Sequence, residues 1–476
     1  MRRILILFFV LIPSLYGQDV KYVEYDTDLI PGSVHKERRA KVMAEIGNDA
    51  VAFFYAASMR TRNADVEYQY RQDDNFLYLT GFPEPNAVLA LIPKGLQVTD
   101  PADSTKMITV REILFVHPKD PLREHWNGRV YGPVGAMKLR GLEYALPVDQ
   151  FERMYSSMVF RTGARTVYVP PFASDFTGDI AETMQPLQNT IDQTRIRHVG
   201  IEFRDPTSLV YNLRAIKGPE EIALIAKASE ITALAHRQAM MSTEPGMFEY
   251  QLAGVYEYVY RAKGAEYNAY PCIVGAAENS VVLHYNGVRR RINGGDLILA
   301  DCGAEYHGYA TDVTRTWPAN GKFSAPQREI YEIVLRAQKA AMAMMRPGVS
   351  WSDISAKSGE ILEDGLFRLG LIKEKNQREY RRFATHGLGH SVGLNVHDIS
   401  RAVMEPGVIY TVEPGIYIQE GAEGVDPKYF NIGVRIEDTV LVTKDGPRNL
   451  SESAPREIAD IEALMKKKGV GNFHLD

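Results

Sequence analysis

The sequence predicts a two-domain chain: a smaller α/β domain over residues 18–205, then an α+β domain over residues 206–476, both behind a leader at residues 1–17. Three observations lead there. With 476 residues the chain is longer than one hydrophobic core usually serves, which favours two or at most three domains. Short apolar runs at 50–55, 87–92 and 112–116 alternate with helical stretches in the N-terminal region, as strands interleaved with helices do. In the C-terminal region a helical stretch ends at Glu244-Pro245-Gly246-Met247 and another at Arg346-Pro347-Gly348-Val349, each followed by a further helix and then by strand-like segments. This faint duplication, about 100 residues apart, predicts two related halves with a cleft between them.

The leader has the form of a secretory signal: Arg2 and Arg3 precede an apolar stretch at 4–12, and Pro13, Ser14, Leu15, Tyr16 and Gly17 come before polar sequence resumes. Its apolar core falls short of the roughly 20 residues a spanning helix needs, so no stable membrane anchor is expected. A periplasmic or secreted protein follows, although Leu15 is bulky for a position three before a cut after Gly17. Of all residues, 45% are apolar and 24% charged, as in folded domains, and the net charge of -5 offers nothing to a phosphate backbone. Nucleic acid is excluded as a partner on that ground. Cys272 and Cys302 lie in apolar stretches and read as buried free thiols, with a disulfide unneeded.

Within the first domain, residues 94–106 are polar and contain Pro, Gly and Asp, which predicts a surface loop between strands. The composition changes at Arg214-Ala215-Ile216-Lys217-Gly218-Pro219-Glu220-Glu221. Pro219 suits a first helical turn and the two glutamates suit the positive end of the helix dipole, so an Ala-rich helix starts there. Strand-like segments follow at 296–300 and 311–317 in one half, and at 408–412 and 433–442 in the other.

Acids and histidines gather on those segments. Asp301 ends one apolar run and Asp312 opens the next, eleven residues later; side by side they would repel and need a cation or a shared proton. Taken alone, the pair is better explained as one surface acid and one turn acid. The segment His386-Gly387-Leu388-Gly389-His390-Ser391-Val392-Gly393-Leu394-Asn395-Val396-His397 brings three of eleven histidines into twelve residues, with glycines that let backbone approach a site. Glu413 follows an apolar strand and is held extended by Pro414. In Gly433-Val434-Arg435-Ile436-Glu437, strand periodicity puts Arg435 and Glu437 on one face, either as a simple salt bridge or as a ligand steadied by a guanidinium. Asp301, Asp312, Glu413 and Glu437 would bring four negative charges into one cleft, which two divalent ions would neutralise. Oxygen ligands with one imidazole, from His390, suit Mn2+, with Co2+, Fe2+ or Zn2+ as alternatives. Such a pair of ions favours hydrolysis, by acidifying a shared water and polarising a carbonyl.

At these residues the sequence resembles the pita-bread metallopeptidases, and within them the aminopeptidase P family. Arg62-Asn63-Ala64-Asp65-Val66-Glu67-Tyr68-Gln69-Tyr70-Arg71-Gln72 and Leu77-Tyr78-Leu79-Thr80-Gly81-Phe82-Pro83-Glu84-Pro85 are similar to that family's noncatalytic domain. The resemblance implies a pita-bread catalytic domain that releases the N-terminal residue from peptides with proline second. It implies that Asp301 binds one metal, Asp312 and Glu437 bridge two, and His390 and Glu413 complete the set. Glu413 would also handle the proton of the attacking hydroxide. His284, His386 and His397 match histidines that hold substrate and the tetrahedral intermediate, and Arg435 an arginine that supports the site. Trp126 is similar to a tryptophan that reaches a neighbouring subunit's cleft, though a plain surface or core tryptophan accounts for it as well. A homodimer or homotetramer is implied in turn.

Three other readings compete. A prolidase uses the same ligands but takes only Xaa-Pro dipeptides, and residues 62–85 favour the longer-substrate enzyme. A noncatalytic pita-bread binding protein would have lost ligands, whereas all five positions are filled. A two-metal phosphatase or nuclease would need basic residues that are absent here.

Overall fold

The computed structural model describes residues 26–170, 189–198, 200–376 and 379–472, so the leader at 1–17 lies outside the described residues. The first unit is built on a mixed sheet of β1 (Ala50–Tyr55), β2 (Val88–Thr99), β3 (Met107–Val116), β4 (Ala145–Pro147), β5 (Thr166–Tyr168) and β6 (Glu202–Arg204), in the order β4-β3-β2-β1-β5-β6. Strand β1 is apolar throughout because both of its faces are covered. Ala52 and Phe54 join one core, while Val51 and Phe53 join another with Phe115, Phe151 and Tyr155. Helix α1 (Gly32–Ile46) lies against the sheet, where Arg39 Nε and Nη2 donate to the buried Glu112 carboxylate at 2.7 and 2.9 Å.

Here the expected loop at 94–106 is corrected. Strand β2 runs on to Thr99 after a register shift between Leu91 and Leu96, and the connection to β3 is only 100–106. Gly95, at φ 87°, gives the bulge a conformation other residues resist, so a polar, Gly-containing stretch is a kinked strand.

The second unit repeats itself. Helices α2 (Pro219–Ser242) and α3 (Glu249–Ala262) form one pair; α4 (Ala325–Met344) and α5 (Trp351–Arg368) form the other. Pro219 occupies the first turn of α2, and Glu221 closes it by accepting from the Gly218 amide at 3.0 Å. Both Pro-Gly turns place glycine at positive φ, 100° at Gly246 and 86° at Gly348. Each is followed by one isolated antiparallel bridge, Phe248 with Arg291 and Ser350 with Val403. The duplication extends to these details.

After the first helix pair come β7 (Ile273–Ala276), β8 (Leu297–Asp301) and β9 (Thr314–Pro318), an antiparallel sheet in the order β7-β8-β9. After the second come β10 (Ile409–Val412), β11 (Gly415–Ile418), β12 (Ile432–Arg435), β13 (Asp438–Thr443) and β14 (Gly446–Asn449). These pair as β10-β13-β14 and β11-β12. The expected single strand at 433–442 is therefore two strands in different sheets. The chain leaves β12 at Ile436, and the Glu437 amide donates to Thr314 O on β9 at 3.0 Å, which turns that acid toward the other half.

The turn between Asp301 and Asp312 depends on Gly303. A Cβ there would lie 1.9 Å from Thr311 O, a backbone atom that cannot swing aside. Overpacking of this kind costs about 1–3 kcal/mol, and Gly303→Ala should lower the melting temperature by several degrees and weaken metal binding. A variant that melts and binds metal like the parent would contradict this.

Candidate metal and active site

The four acids all sit at strand ends, two from each half. Asp301 closes β8 and pairs with Thr314, two residues after Asp312; Glu413 follows Val412, which pairs with Asp438, so Glu413 and Glu437 extend from neighbouring strand ends. Asp301, Asp312 and Glu437 are buried, at 8%, 6% and 1% exposure, and Glu413 is half-buried. Tyr270 Oη donates toward Oδ1 of both aspartates, at 2.6 Å to Asp301 and closer still to Asp312. Arg435 Nη2 donates to the other Asp301 oxygen at 2.6 Å. Thr314 Oγ1 accepts from Arg435 Nε at 3.1 Å and donates to Glu437 Oε2 at 2.6 Å. The expectation that Arg435 steadies Glu437 along one strand is thus modified: the guanidinium pairs with Asp301 and reaches Glu437 through a threonine.

His390 faces both halves. Its Nε2 is 3.5 Å from Asp312 Oδ2 and 3.5 Å from Glu413 Oε1, and its backbone amide donates to Thr411 Oγ1 at 3.0 Å. His397 meets it edge to face, ring centroids 4.2 Å apart. His386 Nε2 lies 2.7 Å from Tyr417 Oη, which also accepts from Arg435 Nη1 at 2.8 Å. His284 is exposed on a connection ordered by the fully buried Glu249, whose carboxylate accepts from Ala276 N, Asn279 Nδ2, Tyr285 Oη and Arg290 N. Asp301, Asp312, Glu413, Arg435 and the four histidines line one cleft of about 410 Å³, with Leu283 and Val396 among its apolar walls. Every site residue read from the sequence borders that cleft except Glu437, which lies beneath it. Tyr270, Thr314, Thr411 and Tyr417 were not foreseen, because a single hydroxyl far away in sequence leaves no pattern. Trp126 stands apart: it is 78% exposed on the helix Pro121–Asn127, which rules out the core reading.

Three of the four carboxylates hold their protons more tightly than usual, while the hydrogen bond and charge of His390 outweigh burial at Asp312 and keep it low. Burial, reinforced by Asp312, pushes Asp301 up to about 6. Burial and the neighbouring acids raise Glu413 to about 7 and Glu437 well above the usual range. Burial alone would lower His390, but the hydrogen bond and charge of Asp312 and the charge of Glu413 outweigh it and push the imidazole up to about 9. His386 goes the other way, to about 4, through burial and the Arg435 charge, and is neutral near pH 7.

A divalent cation fits this set. Glu437 Oε1 is buried with no hydrogen-bond partner among the described residues, an expensive state for a carboxylate oxygen. One donor atom each from Asp312, His390 and Glu437 lie within 4.8 Å of one another. Oxygen and imidazole donors of this kind bind divalent metals.

The paired halves and their buried acids define a metallopeptidase of the pita-bread class. Residues 223–444 match Metallopeptidase family M24, and residues 35–168 match the Aminopeptidase P, N-terminal domain. A Xaa-Pro aminopeptidase of Haemophilus influenzae is 38% identical over 450 residues, covering 92% of this chain and 98% of that one. Among solved structures, the Pseudomonas aeruginosa aminopeptidase PepP is 38% identical with a TM-score of 0.83, over 92% of this chain and 99% of that one. Aminopeptidase P of E. coli with the inhibitor Pro-Leu is 37% identical with a TM-score of 0.82, over 92% and 98%. The chain belongs to the aminopeptidase P family within metallopeptidase family M24.

His390 and Glu437 would have to shed protons to bind a metal, and both are pushed above the ordinary range of their groups, so affinity should rise with pH. Titration calorimetry between about pH 6 and about pH 8.5 should show metal binding tightening and releasing protons. A pH-independent affinity without proton release would contradict the assignment.

Proposed function

We propose that this chain is a metal-dependent Xaa-Pro aminopeptidase, releasing the first residue of peptides in which proline is second. The observation that carries the proposal is the buried acid cluster with an orphaned Glu437 oxygen, in a chain whose two regions match an aminopeptidase P along most of their length. Asp301, Asp312, His390, Glu413 and Glu437 would hold two divalent ions, for which manganese is the best match to the donors. The ions, when bound, supply an acidified water and a Lewis acid for the scissile carbonyl.

The chain's own residues supply the rest. Glu413, half-buried at the cleft, is the acid placed to take the proton of the attacking water and return it to the prolyl nitrogen. Arg435 donates to Tyr417 Oη, which leaves the tyrosine proton for His386 Nε2 and the His386 Nδ1 proton for Gly387 O at 2.8 Å. That chain of donors keeps His386 neutral and fixed at the cleft wall. His284 and His397, exposed to the cleft, are placed to bond substrate and the developing oxyanion. The Xaa-Pro bond is a tertiary amide without an N–H, so a cleft walled by Leu283 and Val396 can take the ring without leaving a donor unpaired.

The match of residues 35–168 to the aminopeptidase P N-terminal domain favours this reading over a dipeptide-only prolidase. We also assign residues 18–205 to that noncatalytic domain, 206–476 to the catalytic domain and 1–17 to an export leader, so that the mature protein is periplasmic or secreted. Among the described residues no helix is long and apolar enough to cross a membrane. Exposed Trp126 supports a homodimer or homotetramer in which it meets a neighbouring subunit.

A peptide panel that varies length and the second residue should show cleavage of Xaa-Pro-Xaa, little activity when alanine replaces proline, and loss on chelation restored best by manganese. Good turnover of Xaa-Pro with none of Xaa-Pro-Xaa would make the protein a prolidase instead. Glu413→Ala should cut kcat by at least about 100-fold in a protein that still unfolds cooperatively; turnover near that of the parent would remove Glu413 from the chemistry.

A further inference from the structure

The segment 390–398 carries the ligand candidate His390 and the cleft-facing His397, yet it belongs to no regular sheet. Isolated bridges from Ser391 to Asp398 and Tyr410 hold its base. Its outer turn is held at Gly393 O by Ala310 N of its own domain, at 2.8 Å, and beyond that from the other domain. Arg71 Nη2 donates to Leu394 O at 2.6 Å, Nε to Glu305 Oε2 at 2.8 Å and Nη1 to Asp74 Oδ1 at 2.9 Å. Asp74 Oδ2 in turn accepts from Asn395 Nδ2 and Arg214 Nη2, both at 3.4 Å. Below these, the buried Asp398 takes Arg214 Nη2 at 2.7 Å and Lys217 Nζ at 3.3 Å, and Lys217 also reaches Ser391 Oγ at 3.2 Å.

The geometry points to Arg71 as a positioning residue for peptide binding: through Leu394 O it sets, from the N-terminal domain, where Val396 and His397 stand against the substrate. This rests on the proposed peptidase function. Three features separate Arg71 from a general structural residue. Its side chain is 37% exposed, so removing it opens no core, unlike Asp398 and its two buried cations. Its planar fork serves acceptors on three separate segments from three different nitrogens, a spread that lysine's single ammonium nitrogen does not reproduce. The carbonyl it holds is three residues from His397, whereas Glu305 and Asp74, which it also bonds, lie outside the cleft lining.

The test compares Arg71→Met and Arg71→Lys with the parent, all loaded with manganese. For a Xaa-Pro-Xaa peptide, Arg71→Met should raise KM on the order of tenfold with kcat changed less than about twofold and bound metal unchanged. Arg71→Lys should recover some of the lost KM. Hydrogen exchange of amides 391–398, without substrate, should be faster in Arg71→Met than in the parent. Parental KM and exchange in Arg71→Met would overturn the proposal, and so would a loss of activity that follows lost metal or global unfolding. If the parent cleaves no Xaa-Pro peptide, the functional reading fails by itself, and the exchange comparison still decides whether Arg71 holds the loop.

Discussion

Asp301, Asp312, Glu413 and Glu437 are brought together out of water, and the site is organised around their mutual repulsion. A charge cluster of this kind survives burial only if each oxygen finds a donor or a cation. Tyr270 serves both aspartates, Arg435 takes the second oxygen of Asp301, and Thr314 takes one oxygen of Glu437. The neighbouring acid shows what full satisfaction looks like. Asp438 accepts from Arg315, Arg456, Gln338 and Ser451, and the two arginines outweigh its burial and hold its carboxyl low. Glu437, one residue earlier, keeps an oxygen with no partner among the described residues. Two adjacent acids have opposite fates, and the difference separates a structural carboxylate from one reserved for a cation.

The repeated architecture explains how such a cluster is assembled. Each half offers two acids at the ends of paired strands, and the helix pairs behind them supply the apolar packing that the acids cannot. Because each half alone exposes only two carboxylates, the full repulsion arises when the halves close. Arg435 and Thr314 then bridge the seam, one from β12 and one from β9, so closure and neutralisation are the same event. The N-terminal domain adds the Arg71 and Asp74 contacts on the outer turn of the 390–398 segment, whose base the catalytic domain holds through Arg214, Lys217 and isolated bridges.

Much of this was legible in the sequence because it leaves local marks. The Pro-Gly turns, the acid after each apolar run and the histidine-glycine segment are all short-range signals, and each lies where the chain architecture needs it. What could not be read was pairing across distance. Nothing in Tyr270 distinguishes it from other tyrosines until β7 brings it over Asp301 and Asp312. The alternation through 433–437 suggested one continuous strand, and the break at Ile436 is set by Thr314 in the other half, not by a local breaker. Likewise the polar stretch at 94–106 looked like a loop because a bulge and a loop share Gly and polar residues, and only the partner strand β3 separates them.

The charge balance bears on the chemistry. Once the four carboxylates are deprotonated, they and the Arg435 guanidinium leave three negative charges when His390 is neutral. That balance would repel a developing oxyanion. The two divalent ions proposed for this site would convert it to a single positive charge, which in a buried site would favour a transition state whose carbonyl oxygen becomes negative. The guanidinium is what tips the sum past neutrality. Arg435 cannot approach the carbonyl itself, since its nitrogens are engaged by Asp301, Tyr417, Thr314 and Leu283 O. Its contribution is a fixed charge close by, held in place by those four bonds. His386, held neutral by the same charge, can then meet substrate without adding a proton that the acids would compete for.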